Sequence, residues 1–116
     1  MPPPSGQNLL KDIIGEITFL FDATSSGAMD AYPGDPMVKR GIERSVEIVC
    51  EATRQLRVHR PDIASQITEV GQIIGMRHRL AHGYSRIDTD VVIATIRFSL
   101  PTLLDEAERL LVAELP

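Results

Sequence analysis

Apolar residues recur at steps of three and four along nearly the whole chain, and that period specifies amphipathic helices rather than strands. Leu9, Ile13, Ile17 and Leu20 set the rhythm, with Leu10, Ile14 and Phe21 beside them, which predicts a helix over about Asn8 to Thr24. "SSG" closes it. "AMDAYPGDP" then interrupts the chain with Gly and Pro, leaving room for a short extra helix near Ala28 to Tyr32. Asp35 is a good N-cap and Pro36 suits the first helical position, so a second helix starts there. Val38, Ile42, Val46, Val49 and Leu56 line its face, and Pro61 resists its continuation. A third helical region covers about Pro61 to His82, with Ile63, Ile67, Val70, Ile74 and Leu80 on its apolar side. Gly71 and Gly75 weaken that region, which reads as one helix or two shorter ones. Gly83 is a natural stop at the C′ position. The last helix starts around Asp88 to Asp90. Its stripe is Val92, Ile96, Leu100, Leu103, Ala107, Leu110 and Leu111, and Pro101 inside it predicts a kink. No segment alternates with period two strongly enough to be a strand.

The fold class expected is therefore all-α, a bundle of four to five helices. A chain of 116 residues suits one domain, expected over residues 8–116 behind a flexible tail at 1–7. Apolar residues make up 43% and aromatics only 4%, without Trp, so the core must be built from Leu, Ile, Val and Ala. No apolar run reaches the ~18 residues of a membrane span. The start, "MPPPSGQN", has neither the basic nor the apolar region of a signal peptide, and a cytoplasmic location is expected. A single cysteine, Cys50, excludes an intrachain disulfide and fits a reducing compartment. Its apolar surroundings predict a buried small hydrophobe.

Net charge is −4, so any contact with nucleic acid must come from a local basic patch. Two acid-free windows provide candidates. The stretch between Glu51 and Asp62 carries Arg54, Arg57, His59 and Arg60, and the stretch between Glu69 and Asp88 carries Arg77, His78, Arg79, His82 and Arg86. Such windows concentrate positive potential and suit phosphate contact. The alternative is that these residues are solvated or pair with Glu43, Glu47 or Glu69.

The second window contains "RHRLAHGY", Arg77 to Tyr84. His78 and His82 are four apart and share a helix face. Arg77 and His82 are about 140° apart on an ideal helix, so only a long arginine stem reaches toward the histidine. A helix end at Gly83 puts His82 where the dipole favours imidazolium. An unperturbed histidine titrates near pH 7 and an arginine grips phosphate with a bidentate fork, so His82 suits a general acid/base and Arg77 a phosphate clamp.

Arg77-x-x-x-x-His82-x-Tyr84 resembles the signature of the HEPN superfamily, specifically its HepT-like toxin branch. "IERSVEIVCEATRQL" is similar to that branch's second helix, "IIGMRHRLAHGYSRIDTDVV" to its third-helix stretch, and "LPTLLDEAERLL" to its last helix. The resemblance spans roughly Leu9 to Leu111. Cys50 stands before Glu51 where the branch usually has Gly, and Val70 stands where it often has Trp.

The resemblance implies a homodimer of helical bundles with two motifs facing each other, and a ribonuclease that needs no metal and no cofactor. It also implies an MNT-type nucleotidyltransferase antitoxin as partner, which adenylylates the motif tyrosine, here Tyr84. Arg77 and His82 are then catalytic. His78, Arg79, Arg86 and Glu51 are supporting or substrate-binding residues. Two other readings remain. His78 and His82 have the spacing of zinc ligands, with His59 as a candidate third, although the Glu of a His-Glu-x-x-His site is missing. The apolar stripes also suit a non-catalytic module that dimerises and binds a partner.

Overall fold

The computed structural model describes residues 3–81 and 89–115, and among these every regular element is helical. The first helix, α1 (Gly6–Ser25), begins two residues before the expected Asn8 because Ser5 caps it, its side chain accepting from Asn8 N at 3.0 Å. Gly6 suits this start. A β-carbon there would stand 2.8 Å from Ile63 Cδ1 and 3.1 Å from Arg60 Nη1, so the chain enters α1 hard against these two side chains.

The short helix α2 (Ala28–Ala31) lies where the Gly- and Pro-rich segment left room for one. Tyr32 follows it and donates from its phenol to Glu43 Oε2 at 2.8 Å. Lys39 Nζ meets the other oxygen of Glu43 at 2.8 Å, so this buried carboxylate has a partner on each oxygen and ties the connection to the next helix.

That helix, α3 (Pro36–His59), has Asp35 as its N-cap, accepting from Met37 N and Val38 N at 2.9 and 3.3 Å, with Pro36 in the first turn. The third helical region is two helices, α4 (Pro61–Ala64) and α5 (Val70–Ala81). The break is not at the glycines. Gly71 and Gly75 lie within α5 with open space around them. The interruption falls at 65–69, where the Thr68 backbone N–H and hydroxyl both turn to the Glu106 carboxylate, the hydroxyl at 2.7 Å. Starting α5 at Val70 also sets its phase: Ile73 is buried, while Ile74, expected in the stripe, is only partly so.

The C-terminal stripe runs through α6 (Thr89–Ala94), a π-helical turn over Thr95–Ser99 and α7 (Leu100–Glu114). Pro101 explains the π turn. It has no N–H to give, and its ring crowds the carbonyl four residues back. The helix widens upstream, with Leu100 N donating to Thr95 O five residues earlier.

Helix α1 packs chiefly against α3 and α7, and α3 against α1 and α5. Leu10, Ile13, Ile17, Val46, Val49, Leu56, Val92 and Leu100 are fully buried between them. Each helix contributes through positions three or four apart, as the sequence period requires. This leaves α5 on the α3 side of the bundle, and its face toward α3 carries the site.

Candidate functional site

Helix α5 presents its charged residues in two directions. Arg77 is four residues after Ile73 and three before Leu80, both buried, so it lies on the face that packs toward α3. The two residues that follow it turn away. His78 and Arg79 are exposed and line a separate open groove of about 520 Å³ with Gln72, Gly75, Met76 and Val91. Arg77 instead borders an open groove of about 680 Å³ running between α1 and α3, where Glu51, Gln55, Glu47, Arg44 and Lys11 also lie. Arg77 and its neighbours His78 and Arg79 therefore do not form one patch.

On the α3 side, Arg77 meets Glu51. Its Nε is shut off from solvent and stands 2.5 Å from Glu51 Oε2. The approach is too bent for a well-formed N–H···O bond, so the contact is an ion pair. The Glu51 carboxylate is itself bracketed. Arg54 donates from Nε to Oε2 at 3.1 Å and from Nη2 to Oε1 at 2.8 Å, and Gln55 Nε2 donates to Oε1 at 3.1 Å. The Arg54 hydrogen bonds lead in pulling the Glu51 carboxyl from its ordinary 4.5 to about 2, with the Gln55 bond and the charges of Arg54 and Arg77 adding to them. Glu51 is thus held as an anion near neutrality.

One α3 position earlier, Cys50 is buried beneath this cluster. Burial pushes its thiol up to about 12, with Arg77 pulling the other way. A thiol held protonated in this way is a packing residue, as expected from its apolar surroundings.

In the first acid-free window Arg54 and Arg60 are paired with acids, while Arg57 is exposed. Arg54 pairs with Glu51, and Arg60 Nη2 reaches Asp62 at 3.0 Å and Glu114 at 2.6 Å. His59 Nε2 lies 3.1 Å from Gln55 Oε1. The partners are not Glu43, Glu47 or Glu69. Among the described residues no group of three His, Cys, Asp or Glu is arranged to hold a metal ion, and His59 and His78 belong to no such group. His82, Tyr84 and Arg86 lie outside the described residues, as does the expected helix stop at Gly83.

The resemblance placed Glu51 among the supporting or substrate-binding residues without saying which residue it contacts. Its contact with Arg77 has no local signature, because it joins two helices through tertiary packing. Arg54 appeared only as a member of the first basic window, and Gln55 was not singled out. Their spacing of three and four residues from Glu51 on one helix was the available signal.

The Ribonuclease HepT-like family model matches residues 11–110. A protein named "Putative RNase" from Caldanaerobacter subterraneus subsp. tengcongensis is 28% identical over 105 residues, covering 90% of this chain and 93% of its own. A second, also named "Putative RNase", from Methanocaldococcus jannaschii, is 22% identical over 113 residues, covering 96% of this chain and 91% of its own. No solved structure matches the chain.

Proposed function

Because the chain belongs to the HepT-like ribonuclease family, we propose that it is an RNA endonuclease that cuts without a metal ion, using Arg77 and His82. The observation that carries this is the state of Arg77. It is 37% exposed at the edge of an open groove and engaged by Glu51 at Nε, while neither Nη hydrogen-bonds to any described residue. A guanidinium held through Nε keeps its end-on fork for two phosphate oxygens.

The reaction balances without a cofactor. A histidine removes the 2′-OH proton, the 2′-oxygen attacks phosphorus, and charge accumulates on the phosphorane oxygens where Arg77 stabilises it. The P–O5′ bond breaks as a proton is delivered to the leaving oxygen, giving a 2′,3′-cyclic phosphate and a 5′-OH. One His82 can take the proton and a second can give one, which is a chemical reason for a homodimer. His78, Arg79 and Arg86 serve as contacts to the RNA backbone.

The chain acts as the toxin of a toxin–antitoxin pair in the cytoplasm, its partner a nucleotidyltransferase of the MNT type. That partner moves AMP from ATP to the Tyr84 phenol and releases pyrophosphate, placing negative charge where the substrate phosphate would bind. Of the two tyrosines, Tyr32 is unsuited to this role, being buried with its phenol donated to Glu43.

Expression in a host distinguishes catalysis from mere partner binding. Growth inhibition with RNA cleavage by wild type, both lost in Arg77→Ala, is the expected outcome. Growth inhibition that survives Arg77→Ala and His82→Ala points to a non-catalytic module. Intact mass after incubation with ATP and the partner tests the switch: one AMP added to wild type and none to Tyr84→Phe is expected.

A further inference from the structure

The Glu51 cluster is built more tightly than a surface ion pair requires. Exposed pairs contribute little and move freely, yet Glu51 receives three donated hydrogen bonds from Arg54 and Gln55, in addition to Arg77. The buried Nε of Arg77 has no other compensating group among the described residues. We propose that Glu51 is the positioning residue of this site. Bracketed by Arg54 and Gln55, it holds Arg77 by Nε so that both Nη groups point to the phosphate. This rests on the ribonuclease reading and deepens it.

Three features support the assignment. First, contact at Nε ties the guanidinium to α3 while neither Nη hydrogen-bonds to a described residue. Second, Glu51 separates two cations, Arg54 and Arg77, that would otherwise repel each other across the α3–α5 junction. Third, the same carboxylate is a poor proton acceptor, since Arg54 and Gln55 hold it ionised well below neutrality. Glu51 therefore acts through Arg77 and not on the substrate. The arrangement also excludes a simple exchange of Arg77 for lysine. A lysine has no Nε–H that can be held while other donors stay free.

Steady-state cleavage of a defined oligoribonucleotide by the full chain tests the proposal, with Glu51→Gln, Glu51→Asp and wild type compared. Gln keeps the shape but presents one neutral acceptor, and loss of fixed geometry at a clamp costs on the order of a hundredfold. The expected result is a kcat fall of that order in Glu51→Gln, with KM changed by less than about threefold since the Nη fork itself survives. Glu51→Asp, which keeps the charge at shorter reach, should fall between the two. In an Arg77→Lys background, Glu51→Gln should cause no further loss, because the group it positions is gone. Wild-type kcat in a folded Glu51→Gln or Glu51→Asp overturns the positioning role and leaves the ribonuclease reading intact. A full additional loss in the Arg77→Lys background also overturns it. Wild-type protein that cuts no RNA removes both.

Discussion

An arginine proposed to meet a phosphate in one geometry cannot be left to wander, and at the residue scale the answer lies across a helix boundary. Glu51 on α3 takes Arg77 of α5, and Arg54 and Gln55 keep Glu51 in place. This has a pH consequence. The Glu51 carboxyl is depressed in the folded protein, from 4.5 to about 2, by hydrogen bonds from Arg54 and Gln55 and by nearby charge. A depressed carboxyl stabilises the fold fully above its unfolded value and loses that contribution as pH falls through its folded one. Wild type should therefore resist urea better than Glu51→Gln at pH 6, and the gap should close between about pH 4.5 and pH 2. A gap that is the same at pH 6 and pH 3 contradicts the ion pair. Cys50 adds a second expectation. Its thiol, buried and pushed up to about 12, should stay unreactive toward a disulfide reagent in the native protein and react once urea unfolds it. Arg77 could be named as the candidate clamp from the sequence because its type and motif position are local facts. Its partner was not, because nothing along the chain says that α3 and α5 meet at Glu51.

At the scale of elements, local chemistry was the best guide wherever it was complete. Asp35 and Pro36 marked the start of α3, and the structure keeps both, with Asp35 accepting from Met37 N and Val38 N. Asp35→Ala should cost about 1 kcal/mol, read as a lower urea midpoint with unchanged slope, while Asp35→Asn stays within a few tenths. An Asp35→Ala midpoint equal to wild type contradicts the cap. Where tertiary contacts decided, the sequence was less informative. Thr68 turning to Glu106 on α7 breaks the third helical region upstream of the glycines that were expected to weaken it. The late start of α5 then makes Ile73 the buried residue rather than Ile74. Pro101 signalled a disturbance in the last helix. The disturbance takes the form of a π turn over Thr95–Ser99, with Ile96 and Leu100 both buried.

The molecule as a whole uses its helices to sort charge. In linear sequence Arg77, His78 and Arg79 form one basic run, but α5 divides them between two grooves. Much of the other run is spent on Glu51, Asp62 and Glu114. Arg77 stands out because its Nε is paired with Glu51 while neither Nη hydrogen-bonds to a described residue. The all-α bundle was readable from the three- and four-residue apolar steps alone, since those steps are what pack α1, α3 and α7 together. The most direct test of the account is cleavage of an oligoribonucleotide in EDTA by purified wild type, Arg77→Ala and His82→Ala. The account predicts cleavage by wild type undiminished by EDTA, and losses on the order of a hundredfold or more in each variant. Wild-type cleavage that vanishes with EDTA, or His82→Ala cutting as fast as wild type, would contradict it.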